Sequence, residues 1–288
     1  MIMLEVEASS IRLIQGKFSV LFFMVIFTFC SISYGDTLRE EHHALPAPEE
    51  LGKIIDDAEK VIRVYEPHLT KDNQLIPVEY VGYEANPIFS EILGQNWHNQ
   101  KADIEFRALD GYIARIEVSK FLTYSAYLVF AKKDREPFRV TNVAQGGENV
   151  ELGPYYLVWD NISNPALIHE GASGWPYQVT EIGLSSARMQ SLLPGEMSPL
   201  FFEASRLAKK HCLTCHQING YGGEKFPINL ARIVKNYKET AFVKWVLHPQ
   251  GVNPRAGMPP LLPSDSDTER RRVASLIYNY LLALPVTE

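Results

Sequence analysis

Cys212, Cys215 and His216 fall within the stretch Cys-Leu-Thr-Cys-His, and the chain has only one other cysteine, Cys30. Three chemistries use two cysteines at this spacing. A structural zinc site needs four ligands, usually from a second Cys or His pair at matching spacing, and the sequence contains no second C-x-x-C. A thiol redox motif opens a helix after a strand, whereas the surroundings here read as helices and loops. The third is covalent heme attachment: two thiols add across the two vinyl groups and the next residue, a histidine, becomes the proximal iron ligand. Because a histidine follows the second cysteine directly, the residues favour one covalent heme c, with Cys212 and Cys215 as attachment points and His216 on the iron.

Several elements must hold such a group. Leu200, Phe201, Ala204, Leu207 and Ala208 recur at helical spacing after Ser198-Pro199, which predicts a helix that delivers the chain to the motif. Ser266-Asp-Thr-Glu269 is a capping box. Beyond it Val273, Leu276, Ile277, Tyr280, Leu281 and Leu284 form one apolar stripe, which predicts a long C-terminal helix. With these features, residues 198–288 resemble a small class I cytochrome c domain. The resemblance implies an all-α fold in which the last helix crosses the first. It also implies that the glycines of residues 218–230 let the chain pass close to a flat ring, and that the Pro227 carbonyl accepts a hydrogen bond from the other nitrogen of His216.

The same resemblance gives the sixth ligand. In Asn253-Pro-Arg-Ala-Gly-Met-Pro-Pro260, Met258 stands where the family places an extended methionine loop over the iron. A thioether is soft, favours ferrous iron and raises the potential relative to two imidazoles. His248 is the competing ligand; it also reads as the end of a helical stretch over 240–247, satisfied by carbonyls or solvent. Leu230 and Ile233 either line the heme edge or pack in a core. Arg232, Arg255, Tyr237 and Trp245 either meet the propionates or lie on the surface.

Upstream the pattern changes. Residues 77–83, 102–109, 112–118, 126–131 and 155–159 are rich in β-branched and aromatic side chains and read as strands, with Asp110-Gly111 as a hairpin signal. Leu51, Ile54, Ile55, Ala58, Val61, Ile62 and Tyr65 share one helical face after Pro48. The segments 108–112, 152–159 and 175–179 resemble the molybdopterin-binding domain of the sulfite oxidase family, which implies a truncated α+β domain over 69–184. That family holds molybdenum through a cysteine, and none lies between Asp36 and His211, so molybdenum catalysis is not expected. His98 and His169 stand apart from any paired acidic or nucleophilic partner and read as surface positions, and Ser173 lacks the setting of a nucleophile turn.

The expected organisation is a signal peptide over 1–35, a helical segment over 36–68, the α+β domain over 69–184, a linker over 185–197 and the cytochrome c domain over 198–288. The short apolar run after Lys17, with Ser33 and Gly35 at a cleavage site, suits an export signal, the alternative being an uncleaved anchor. Lys plus Arg number 28 against 34 Asp plus Glu, a net charge of -6, which offers no field for nucleic acid. The expectation is a periplasmic mono-heme cytochrome that carries single electrons and is not an enzyme. Its N-terminal module would dock redox partners: a dehydrogenase or molybdoenzyme as donor, a terminal oxidase or another cytochrome as acceptor. The alternatives are a heme enzyme or sensor with a labile sixth ligand, or a small-molecule-binding module coupled to a heme relay.

Overall fold

Antiparallel strands interrupted by short helices build the region from residue 42 to residue 186. The computed structural model describes residues 42–69, 74–99, 102–143, 147–186, 192, 199–263 and 265–287. The expected signal peptide, Cys30 and Ser198 lie outside these. Strands β1 (His42–Ala44), β10 (Val179–Ser186), β4 (Ala102–Ala108) and β5 (Ile113–Glu117) form an antiparallel sheet in the order β1-β10-β4-β5. A second antiparallel sheet has the order β2 (Lys60–Tyr65), β3 (Pro77–Glu84), β6 (Ala126–Lys132) and β9 (Tyr156–Trp159). β7 (Arg139–Asn142) and β8 (Glu148–Glu151) make a separate ribbon.

Both sheets contribute to one apolar core. Ile104 and Phe106 of β4, Leu128 of β6, and Leu157 and Trp159 of β9 are fully buried in it, beside Phe89 of helix α2 (Ala85–Ile92). Phe89 meets Phe121 of α3 (Val118–Thr123) edge to face, with ring centroids 4.9 Å apart, an arrangement aromatic quadrupoles favour.

The single helix expected over 51–65 is instead a short helix and a strand. α1 (Pro48–Ile55) stops at Asp56, which takes a left-handed backbone with φ 49°, and β2 begins four residues later. Lys-Val-Ile-Arg-Val-Tyr is a β-branched alternation, and Val61, which a helical stripe would bury, is 51% exposed.

The second core belongs to the C-terminal part. Helices α4 (Pro199–His211) and α6 (Glu239–Leu247) both pack on α8 (Asp267–Ala283), and α5 (Leu230–Ile233) and α7 (Pro249–Val252) connect them. Ala204 and Ala208, both buried, let α4 approach the Val273, Ile277 and Leu281 stripe of α8 closely. The Ser266 hydroxyl caps α8 by accepting from the Glu269 amide at 3.3 Å.

The expected division into a sulfite-oxidase-like α+β domain and an all-α cytochrome c domain is corrected: the chain is α+β to its C-terminal part. Between α4 and α5 runs a two-stranded ribbon, β11 (Gln217–Ile218) and β12 (Tyr221–Gly222). Its turn is Asn219-Gly220, with φ 50° and 79°, the pair of left-handed residues that a two-residue hairpin requires. The described residues all fall within one compact unit. None of their helices is long and apolar enough to cross a membrane.

Candidate functional site

The Cys-Leu-Thr-Cys-His segment winds directly off the end of α4. Amides of Cys212 and Leu213 donate to the Ala208 carbonyl at 2.8 and 3.0 Å, and the His216 amide donates to Cys212 O at 2.9 Å. Leu213, 1% exposed, pins the turn into the second core, and Cys212 packs against the same core. Both thiols are free, and burial pushes Cys212 up to about 12 and raises Cys215 as well. That direction is opposite to the lowered thiol of a disulfide exchange catalyst.

The ribbon then folds back over the motif. A Cβ at Gly222 would stand 2.0 Å from the His216 carbonyl oxygen, and one at Gly223 would stand 2.1 Å from that of Thr214, so only glycine fits at either position. These glycines therefore serve contact between two stretches of backbone. The close approach puts Phe226 beside the histidine: its amide donates to Cys215 O at 2.8 Å, and its carbonyl lies 2.9 Å from His216 Nδ1. A carbonyl can only accept, so Nδ1 carries the proton and Nε2 presents a lone pair. Among the described residues Nε2 has no hydrogen-bond partner. Burial lowers the imidazole pKa, which favours the neutral ring that a metal requires.

The orienting carbonyl is thus that of Phe226, one residue before Pro227, the position expected from the sequence. Pro227 ends this grip: it has no amide hydrogen, and the chain turns on to Asn229, whose side chain caps α5 by accepting from the Ala231 amide at 3.1 Å.

Met258 is half-buried against the second core. Its loop is clamped by two side chains that the sequence reading did not single out. Gln250 Nε2 donates to the carbonyls of Ala256 and Met258 at 3.1 and 3.0 Å. Arg270, 9% exposed, donates to the carbonyls of Leu261 and Leu247 at 3.0 and 2.8 Å. Arg270 precedes Val273 and Ala274 by three and four residues, on the buried face of α8, and that was the available signal. His248 is exposed between α6 and α7, with its amide bonded to Lys244 O at 3.0 Å. Arg232, Arg255 and Tyr237 are also exposed, and Trp245 is half-buried.

The sheet region reaches this site through the β4–β5 turn. Ile113 N donates to Thr214 O at 2.9 Å, and Gly111 O accepts from the amides of Glu224 and Lys225 at 2.8 and 3.1 Å. Lys225 Nζ lies 2.6 Å from an Asp110 carboxylate oxygen. The Arg115 guanidinium sits 4.3 Å from the Tyr221 ring centroid, and Lys209 of α4 pairs with Asp103 of β4. None of these contacts was expected from the sequence.

Two unpaired thiols three residues apart and an imidazole whose Nδ1 is committed to a carbonyl are the groups that a covalently held heme c would use, and Met258 lies on a separate clamped loop. No group of three or more His, Cys, Asp or Glu gathers to hold a metal ion among the described residues, so a four-ligand zinc site has no counterpart there. His98 and His169 are both exposed. No protein-family model matches this chain, and no curated protein is significantly similar to it.

Proposed function

We propose that the protein is an exported, periplasmic mono-heme c-type electron carrier, with Cys212 and Cys215 as thioether anchors and His216 and Met258 as axial ligands. When bound, the heme supplies a one-electron ferrous–ferric couple. The chain contributes the rest. The Phe226 carbonyl fixes the His216 tautomer and ring plane and strengthens the imidazole as a donor. Gln250 and Arg270 hold the methionine loop in one geometry, so that the same ligands serve both oxidation states with little rearrangement. Its partners are redox proteins: a dehydrogenase or molybdoenzyme as donor, a terminal oxidase or another cytochrome as acceptor.

The observation that carries this reading is the His216 ring, tied at Nδ1 and without a hydrogen-bond partner at Nε2 among the described residues, one residue after a half-buried unpaired thiol. The test is expression in a host that matures c-type heme, followed by the mass of the denatured protein and its pyridine hemochrome spectrum. One heme retained through denaturation is the expected result, and a polypeptide mass without heme contradicts the reading.

A further inference from the structure

We propose that the Asp110–Gly111 turn of the sheet region is a positioning element of the heme site, fixing the Phe226 carbonyl that orients His216. This rests on the heme c reading and assigns the N-terminal region a role inside the site.

The connection is short and continuous. Gly111 O holds the amides of Glu224 and Lys225, and Asp110 holds the Lys225 ammonium. The next residue, Phe226, gives its amide to Cys215 O and takes the His216 Nδ1 proton on its carbonyl. From the neighbouring strand, Ile113 N grips Thr214 O inside the attachment motif itself. The hairpin therefore holds both stretches of chain that meet at the histidine: the motif, and the segment that supplies its acceptor.

Gly111 shows how close the approach is. Its φ is +82°, and a Cβ there would lie 2.8 Å from backbone atoms of Glu224 and Lys225. A side chain at this position strains the turn and drives the 224–226 segment away from it. A carbonyl bonded to a ligating histidine raises the ring's donor strength, which stabilises ferric iron. Loosening that carbonyl must then raise the reduction potential.

The experiment uses the full-length holoprotein with Gly111→Ala, Lys225→Gln and, as control, Lys133→Gln, whose pair with Glu79 belongs to the other sheet. Heme content is read first by pyridine hemochrome; wild-type protein without covalent heme overturns the heme reading itself. With heme present, two quantities are measured: the midpoint potential, and the solvent exchange of the His216 Nδ1 proton, seen as a heme-shifted NMR resonance. Positioning predicts faster exchange in both Gly111→Ala and Lys225→Gln, an upward shift of potential in Gly111→Ala, and no change in the control. Loss of the Lys225 charge alone would lower the potential and leave the exchange rate unmoved. Wild-type exchange in fully loaded Lys225→Gln overturns the proposal, and that variant decides the matter if Gly111→Ala fails to fold.

Discussion

Glu66 and His216 are both oriented by hydrogen bonds, but Glu66 is fully buried and His216 is half-buried, and their bonding differs. Glu66 is completely buried, and both of its carboxylate oxygens accept hydrogen bonds. The Tyr80 and Tyr156 hydroxyls donate to it at 2.7 and 2.9 Å, and the His68 amide and Nδ1 lie at 3.0 and 2.8 Å. Burial works against its charge, yet the His68 and Tyr80 hydrogen bonds outweigh that and hold the carboxyl below the ordinary glutamate range. His216 is bonded on one side only, and the thiols nearby are bonded to nothing covalent. A saturated buried network fixes a core, whereas donors left with lone pairs in a shaped setting are suited to chemistry. The sheet region holds a saturated polar network, and the motif region carries the groups to which the proposed chemistry is assigned.

The sharpest break of this contrast is Cys212→Ala combined with Cys215→Ala. Covalent heme should be lost completely, as read from the mass of the denatured protein, because no other cysteine lies among the described residues.

Glu66→Ala strikes the other side of the comparison. It strands two tyrosine hydroxyls and a histidine in the core and should cost about 3 kcal/mol in chemical denaturation. Heme content per folded molecule should stay unchanged, and if it falls in step with stability the two regions are not separable in this way. The carboxyl's depressed folded pKa has a definite sign. Its stabilisation is complete above the unfolded value of 4.5 and is lost as pH falls from there through the folded value, and Glu66→Gln should remove that acid dependence from the denaturation midpoints.

Arg270→Ala is expected to be smaller, about 2 kcal/mol, since it leaves the Leu247 and Leu261 carbonyls without their donor. It should also weaken whatever spectral signature Met258 gives, because Leu261 follows that loop. Ser266→Ala removes one helix cap, should cost about 1 kcal/mol by thermal melting, and should leave the visible spectrum alone.

Much of the sheet was legible because the enrichment of β-branched and aromatic residues is a local property. β3, β4, β5, β6 and β9 lie where β-branched and aromatic residues cluster, and the Asp110-Gly111 turn lies where its sequence signal put it. β2 was hidden because Leu51, Ile54, Ile55, Ile62 and Tyr65 also fit one helical face, and only the Asp56 backbone breaks the run. The β11–β12 ribbon was missed: its strands are two residues each, too short to show a strand pattern.

Met258 was singled out only through the resemblance to the cytochrome c family, whereas the cysteine and histidine residues of the motif could be singled out by residue type and spacing. The acceptor at Phe226, the clamp by Gln250 and the grip of Gly111 could not. They depend on backbone groups that every residue carries, brought together by the ribbon and by contacts such as Asp110 with Lys225, more than a hundred residues apart. The all-α expectation failed for the same reason: helical periodicity is visible in sequence, but attachment to a sheet is not.

The most direct test of the central claim is the visible and near-infrared spectrum of the oxidised protein, matured in a host that attaches c-type heme, measured beside Met258→Ala. The account predicts a low-spin wild-type spectrum with the weak near-infrared charge-transfer band of sulfur on ferric iron, and loss of that band in the variant. A high-spin wild-type spectrum, or a band that survives Met258→Ala, would contradict it.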